Sequence, residues 1–66
     1  MEITVNGKQH QIEPEMTIVK LLEELELDSS RIAVEHNLIV VSRDAFEKTT
    51  LSDGDSLEIV QFVGGG

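Results

Sequence analysis

The sequence predicts an α+β fold: a mixed sheet of about five strands with one main helix packed on one face. Three observations predict it. Apolar residues alternate with polar ones around an Asn6-Gly7 pair near the start. Apolar residues then recur at helical spacing from Ile18 to Leu25. The second half holds β-branched runs separated by turn signals. The implied order is β-β-α-β-β-β.

The opening stretch from Glu2 to Ile12 reads as a hairpin. Ile3 and Val5 alternate with Glu2 and Thr4, and Asn6-Gly7 suits a type I′ turn, whose two central residues need positive φ. The return strand, with Gln9, His10 and Gln11, is polar and belongs at or near a sheet edge. Pro14 ends it, because proline cannot donate to a ladder. A helix is expected from Thr17, whose side chain can cap it, to about Leu27. Ile18, Leu21, Leu22 and Leu25 share one face, while Lys20, Glu23, Glu24 and Glu26 take the other. So short a helix needs a sheet beneath its apolar stripe.

Arg31 to Glu35 is expected as the third strand, His36-Asn37 as a tight turn, and Leu38 to Val41 as the fourth strand. Residues 42–49 read as a loop or a single helical turn with Phe46 tucked inward. Ser52-Asp53-Gly54-Asp55 is a second strong turn signal, and Ser56 to Val63 is the last strand. Being strongly apolar, that strand fits best beside the first, at the sheet centre. One domain over residues 1–63 and a flexible Gly64-Gly65-Gly66 tail complete the expected organisation.

Composition narrows the function. A chain of 66 residues is at most one domain and buries roughly 60% of its unfolded surface, which leaves little room for a deep catalytic cleft. The absence of cysteine removes disulfides, thiolate zinc sites and thiol nucleophiles. Five basic against thirteen acidic side chains give a net charge of -8, which argues against nucleic acid and anionic membranes and for partners with basic faces. Hydrophobic residues make up 39% of the chain and fall in periodic blocks, which speaks against disorder. No signal peptide and no stretch near the roughly 20 apolar residues of a membrane span is visible, so a cytoplasmic location is expected.

The familiar catalytic constellations are missing from the pattern. His10 and His36 stand at no metal-ligand spacing and read as surface histidines. The serines lack a nucleophile elbow, Asp53-Gly54-Asp55 lacks the remaining ligands of a calcium loop, and no glycine-rich phosphate loop precedes a helix. What remains is Val63-Gly64-Gly65-Gly66. It reads either as a frayed tail or as a carrier tail. Glycines carry no side chain, so they can thread a narrow channel, and three extended residues reach about 10 Å. An ionised carboxylate at Gly66 could act as a nucleophile toward an electrophile polarised by a partner.

The residues also carry a family resemblance that spans essentially the whole chain. Ile3-Thr4-Val5-Asn6-Gly7, Thr17-Ile18-Val19-Lys20-Leu21-Leu22, Ala33-Val34-Glu35-His36-Asn37 and Ile39-Val40 carry its first part. Leu51-Ser52-Asp53-Gly54-Asp55-Ser56-Leu57-Glu58-Ile59-Val60, leading to Phe62-Val63-Gly64-Gly65-Gly66, carries the rest. Together these resemble the ThiS family of small sulfur carriers of thiamine biosynthesis, in the β-grasp, ubiquitin-like superfamily. The Asp-Gly-Asp turn, the final strand and the terminal glycines make the combination specific.

The resemblance implies a β-grasp fold and a chemistry at Gly66. An E1-like (ThiF-like) adenylyltransferase would use ATP and Mg to adenylate the terminal carboxylate. Sulfur from a donor such as a cysteine desulfurase system would convert it to a thiocarboxylate, and a thiazole synthase (ThiG-like) would take that sulfur. The chain itself would bind no cofactor and would be no enzyme. Gly64 and Gly65 would enter the partners' active sites. Two alternatives share the fold, a molybdopterin synthase small subunit (MoaD-like) and a ubiquitin-like protein modifier. A non-covalent β-grasp interaction module is a third. On the last strand, Glu58 marks one pleat face as solvated and places Val60 and Phe62 on it, so these two, with Val63 beside the tail, are candidate partner contacts. The competing expectation is that the sheet bends and Phe62 enters the core.

Overall fold

The computed structural model describes residues 1–62. Strands β1 (Glu2–Val5) and β2 (Lys8–Gln11) form the expected antiparallel hairpin. Between them Asn6 and Gly7 have φ of 51° and 82°, the positive values a type I′ turn demands at both positions. Helix α1 (Ile18–Glu24) starts where expected, with the Thr17 hydroxyl accepting the Lys20 N–H at 3.2 Å.

The helix ends earlier than its apolar periodicity suggests. Glu26 turns left-handed, with φ 60°. Its N–H donates to the Glu23 carbonyl at 3.0 Å, and that of Leu27 donates to the Leu22 carbonyl at 2.9 Å. These two bonds are a Schellman closure, in which a left-handed residue satisfies the last helical carbonyls. Leu25 and Leu27 still pack against the core from the closing turn, so the apolar pattern outlives the helix that it announced.

The second hairpin is shifted by one residue from expectation. A 3₁₀ turn covers Ser29–Arg31, capped by the Asp28 carboxylate, which accepts the Ser30 N–H at 3.0 Å. Strand β3 then runs Ile32–His36 and β4 runs Ile39–Val41. The tight turn is Asn37-Leu38, with φ of 51° and 72°, rather than His36-Asn37. His36 belongs to the ladder, opposite Ile39. The 3₁₀ turn at Arg43–Ala45 delivers Phe46 to the core, as expected of that loop.

Strand β5 (Ser56–Gln61) lies at the centre of the sheet, whose order is β2-β1-β5-β3-β4. It runs parallel to β1 and antiparallel to β3. This five-stranded mixed sheet under a single helix is the β-grasp arrangement. Ile3, Val34 and Leu57 on one face of the sheet are buried in one core with Ile18, Leu21 and Leu22 of α1, each contributing about 1.5–3 kcal/mol. Among the described residues no helix is long and apolar enough to cross a membrane.

Candidate functional site

Strand β5 leads to the glycine run, and two asparagines from the two hairpin turns hold it in place. The Asn6 side chain bonds the Ile59 backbone twice: its amide donates to the carbonyl at 3.0 Å and its oxygen accepts the N–H at 2.7 Å. These bonds continue the β1 side of the ladder past Val5, where the backbone of β1 turns away. On the other side, the Asn37 oxygen accepts the Ser56 N–H and the Asn37 N–H donates to the Ser56 carbonyl, both at 2.8 Å. Beyond the last strand pair, the Phe62 N–H still donates to the Arg31 carbonyl at 2.8 Å. The backbone is thus tied down along β5 and as far as Phe62.

Asp55 anchors the start of the same strand. Its carboxylate is in hydrogen-bond contact with His36 Nε2 at 2.7 Å and accepts the Ser52 N–H at 2.8 Å and the Asn37 amide at 3.1 Å. Burial pushes the carboxyl up. The hydrogen bonds from His36, Ser52 and Asn37 outweigh it and hold the group below its ordinary 3.8. His36, expected as a surface histidine, is half-buried in this contact. No group of three or more His, Cys, Asp or Glu that could hold a metal ion occurs among the described residues.

The face of the sheet away from α1 is open. Val60 and Phe62 are 55% and 57% exposed, so Phe62 does not turn into the core. Val60 sits opposite Ala33 on β3. One step back along the strands, Glu58 is directly opposite Glu35, and Glu35 is in turn opposite Val40, which is 72% exposed. Paired residues on antiparallel strands share a face. The open face therefore carries Val40, Ala33 and Val60 around two adjacent carboxylates, and the exposed Phe62 follows the end of β5. Val63, Gly64, Gly65 and Gly66 lie outside the described residues.

Sequence reasoning found Val60 and Phe62 through pleat parity but missed the other contributors. Val40 and Glu35 join them only through the register of β3 with its two neighbours, which no local pattern encodes. The local pattern at Asn6-Gly7 encodes only a turn, whereas the bonds of Asn6 to Ile59 span 53 positions. A separate open groove of about 460 Å³ lies among Val5, Lys8, His10, Leu25 and Ile59, on the side of the sheet that faces α1.

The family model for the ThiS family matches residues 3–66. The chain belongs to the ThiS family. It is similar over its full length to the crystal structure of the thiamine biosynthesis protein ThiS from Geobacter metallireducens, with 38% identity, a TM-score of 0.86 and 100% of both chains covered. It is 34% identical to the sulfur carrier protein ThiS of Bacillus subtilis, over 97% of this chain and 98% of that one. All 66 residues also match part of a thiazole synthase of Paramagnetospirillum magneticum at 42% identity. The chain spans only 20% of the length of that relative, and likewise of the thiazole synthase of Magnetococcus marinus.

Proposed function

We propose that this chain is a sulfur carrier protein of thiamine biosynthesis, acting in the cytoplasm as the substrate of other enzymes rather than as a catalyst. The observation that carries the reading is the end-to-end likeness to ThiS of Geobacter metallireducens, fold and sequence together. In this reading the carboxylate of Gly66 is the working group. A carboxylate is a poor electrophile until one of its oxygens becomes a good leaving group. An E1-like adenylyltransferase supplies that leaving group: the carboxylate attacks the α-phosphorus of ATP and pyrophosphate departs. ATP and Mg belong to that partner, which stabilises the charge that develops. The terminal sulfur of a cysteine persulfide on a desulfurase-type donor then attacks the carbonyl carbon and displaces AMP, leaving an acyl disulfide. A second thiol attacks the donor sulfur of that S–S bond, so that the thiocarboxylate is released and the two thiols end as a disulfide.

Gly64 and Gly65 fit the passage of that carbon into a narrow active site, having no Cβ to obstruct it. The absence of cysteine supports the same reading, since no internal thiol competes for the activated carbon. Thiazole synthase is the proposed acceptor. Proteins of that name contain a stretch alike to this whole chain, which supports a working association of the two activities.

The test is intact mass spectrometry after incubation with ATP, Mg, an E1-like adenylyltransferase and a sulfur donor. The expected product has one oxygen of the Gly66 carboxylate replaced by sulfur. Recovery of unmodified chain, with no adenylate formed by any of several such enzymes, overturns the proposal. Deletion of Gly65 and Gly66 is expected to abolish the product. A function that survives this deletion would instead mark a non-covalent module.

A further inference from the structure

We infer that Asn6 is a positioning residue for the Gly66 carboxylate: its side chain fixes the direction in which β5 leaves the fold, and so the point from which the carboxylate is delivered to the activating partner. The inference rests on the proposed carrier reading and deepens it, by naming the group that aims the working end.

Strand β1 supports only the first part of β5. Thr4 pairs with Ser56 and Val5 with Leu57, and the Asn6 N–H then donates to the Leu57 carbonyl at 2.9 Å. There the chain reverses through Asn6-Gly7 into β2, while β5 continues to Gln61. Two residues beyond Leu57, Ile59 presents its N–H and its carbonyl to the same side, since alternate residues of a strand do so. A side chain meets them in place of a backbone. The Asn6 oxygen accepts the N–H at 2.7 Å and the Asn6 amide donates to the carbonyl at 3.0 Å. A carboxamide suits this place. It offers a donor and an acceptor in the arrangement of a peptide group, so it adds one more rung to the ladder. Asparagine also tolerates the φ of 51° that the turn requires.

This rung lies at the working end of β5. On the opposite side, β3 pairs with the strand from Leu57 to Gln61, and the Arg31 carbonyl takes the Phe62 N–H at 2.8 Å. A strand held along one side can swing about that ladder, whereas one held along both cannot. Without the Asn6 rung, β5 beyond Leu57 would keep its β3 partners alone among the described residues. Val60 would stay opposite Ala33, but the end of the strand would lose its fixed direction. Four residues follow Phe62, and four extended residues span at most about 14 Å. Three of them are glycines, which impose no direction of their own, so the aim has to come from the strand. Attack on phosphorus needs the reacting atoms about 3–3.5 Å apart and aligned, and a misplacement of about 1 Å can cost a hundredfold in rate.

The test uses the full chain with the E1-like adenylyltransferase of the same organism, ATP and Mg. Adenylate formation is followed in single turnovers at rising enzyme concentration, below the Tm of every variant. The limiting rate and the half-saturating concentration then stand for kcat and KM. Asn6→Gly keeps the turn, because glycine adopts positive φ freely, and removes both side-chain bonds. Asn6→Asp keeps the turn and the acceptor for the Ile59 N–H, but sets a charged oxygen against the Ile59 carbonyl where the donor stood. Each variant is expected to lower the limiting rate about tenfold, with half-saturation within about twofold of the parent. Amide exchange at Ile59 in the free chain is expected to quicken in both. The split is the signature, since a residue that only stabilised the fold would leave the limiting rate of the folded chain unchanged. A limiting rate within about twofold of the parent, or a loss confined to half-saturation, overturns this inference alone. A parent that is not adenylated overturns the carrier reading and this inference with it.

Discussion

Ile3, Val34 and Leu57, on the side of the sheet that faces α1, are each no more than 1% exposed. One residue further along the same or adjacent strands, Val40 and Val60 on the opposite side are 72% and 55% exposed. The residue types are nearly the same, so hydrophobicity alone does not separate the two faces. The difference is occupancy. The helix covers one side, and nothing among the described residues covers the other. Apolar residues that the fold does not bury contribute little to its stability. The covered face holds the molecule together, and the open face is left unpacked among the described residues.

Substitutions on the two faces should therefore fail in different assays. The largest effect is expected from Leu57→Ala, on the covered face. Truncating a fully buried leucine costs about 2–5 kcal/mol, and a domain of this size seldom has more than roughly 3–5 kcal/mol to lose. Urea denaturation should find the variant largely unfolded, and an unchanged midpoint would break the comparison. Phe62→Ala should do the reverse. Its stability is expected to stay within about 0.5 kcal/mol of the parent. Binding to the adenylyltransferase is expected to fall by about 1.5–3 kcal/mol, read by calorimetry. A variant that binds normally but melts early would move Phe62 from recognition to structure.

Asp55→Asn probes the anchor between the two regions. Its carboxylate is held below 3.8 by hydrogen bonds that the charged form strengthens. A depressed folded-state value means that the contribution is fully present above 3.8, the ordinary value, and disappears as pH falls through the folded-state value. The variant is expected to lose about 1–2 kcal/mol at neutral pH. Its stability should fall less steeply than that of the parent on acidification below pH 4. Denaturation midpoints at pH 7 and at pH 3 check both parts, and parallel curves would remove Asp55 from the account.

What the sequence made legible follows the range of the interaction. The first hairpin, the cap at Thr17, the turn at Asp53-Gly54-Asp55 and the inward Phe46 rest on residues a few positions apart, and all were found where expected. The central place of β5 followed from its apolar content. Contacts between distant positions were not legible: the bonds of Asn6 to Ile59, those of Asn37 to Ser56, and the juxtaposition of Glu35 with Glu58. Of the candidate site, Val60 and Phe62 were recoverable from pleat parity, whereas Val40 and Glu35 needed the register. The helix was overextended because Leu25 and Leu27 keep the apolar rhythm after the backbone has left the helix at Glu26.

The second hairpin was misplaced for a related reason, and it yields the smallest of the expected effects. Its turn has the same geometry as the first, with positive φ at both central residues, but Leu38 stands where the first hairpin has Gly7. An apolar residue beside Ile39-Val40-Val41 reads as strand, which places the expected turn one residue before the observed one. The backbone instead holds Leu38 at φ 72°, with its side chain 86% exposed. A left-handed conformation costs an L-residue with a Cβ about 1–2 kcal/mol, and burial offsets little of that here. Leu38→Gly removes the strain but gives the unfolded chain more freedom, at a cost of about 0.5–1 kcal/mol. The net expectation is a gain of about 0.5–1 kcal/mol, a rise in Tm of a few degrees. A lower Tm would mean that the Leu38 side chain contributes to the free fold, and the contrast between buried and idle apolar residues would then have to be redrawn at this turn.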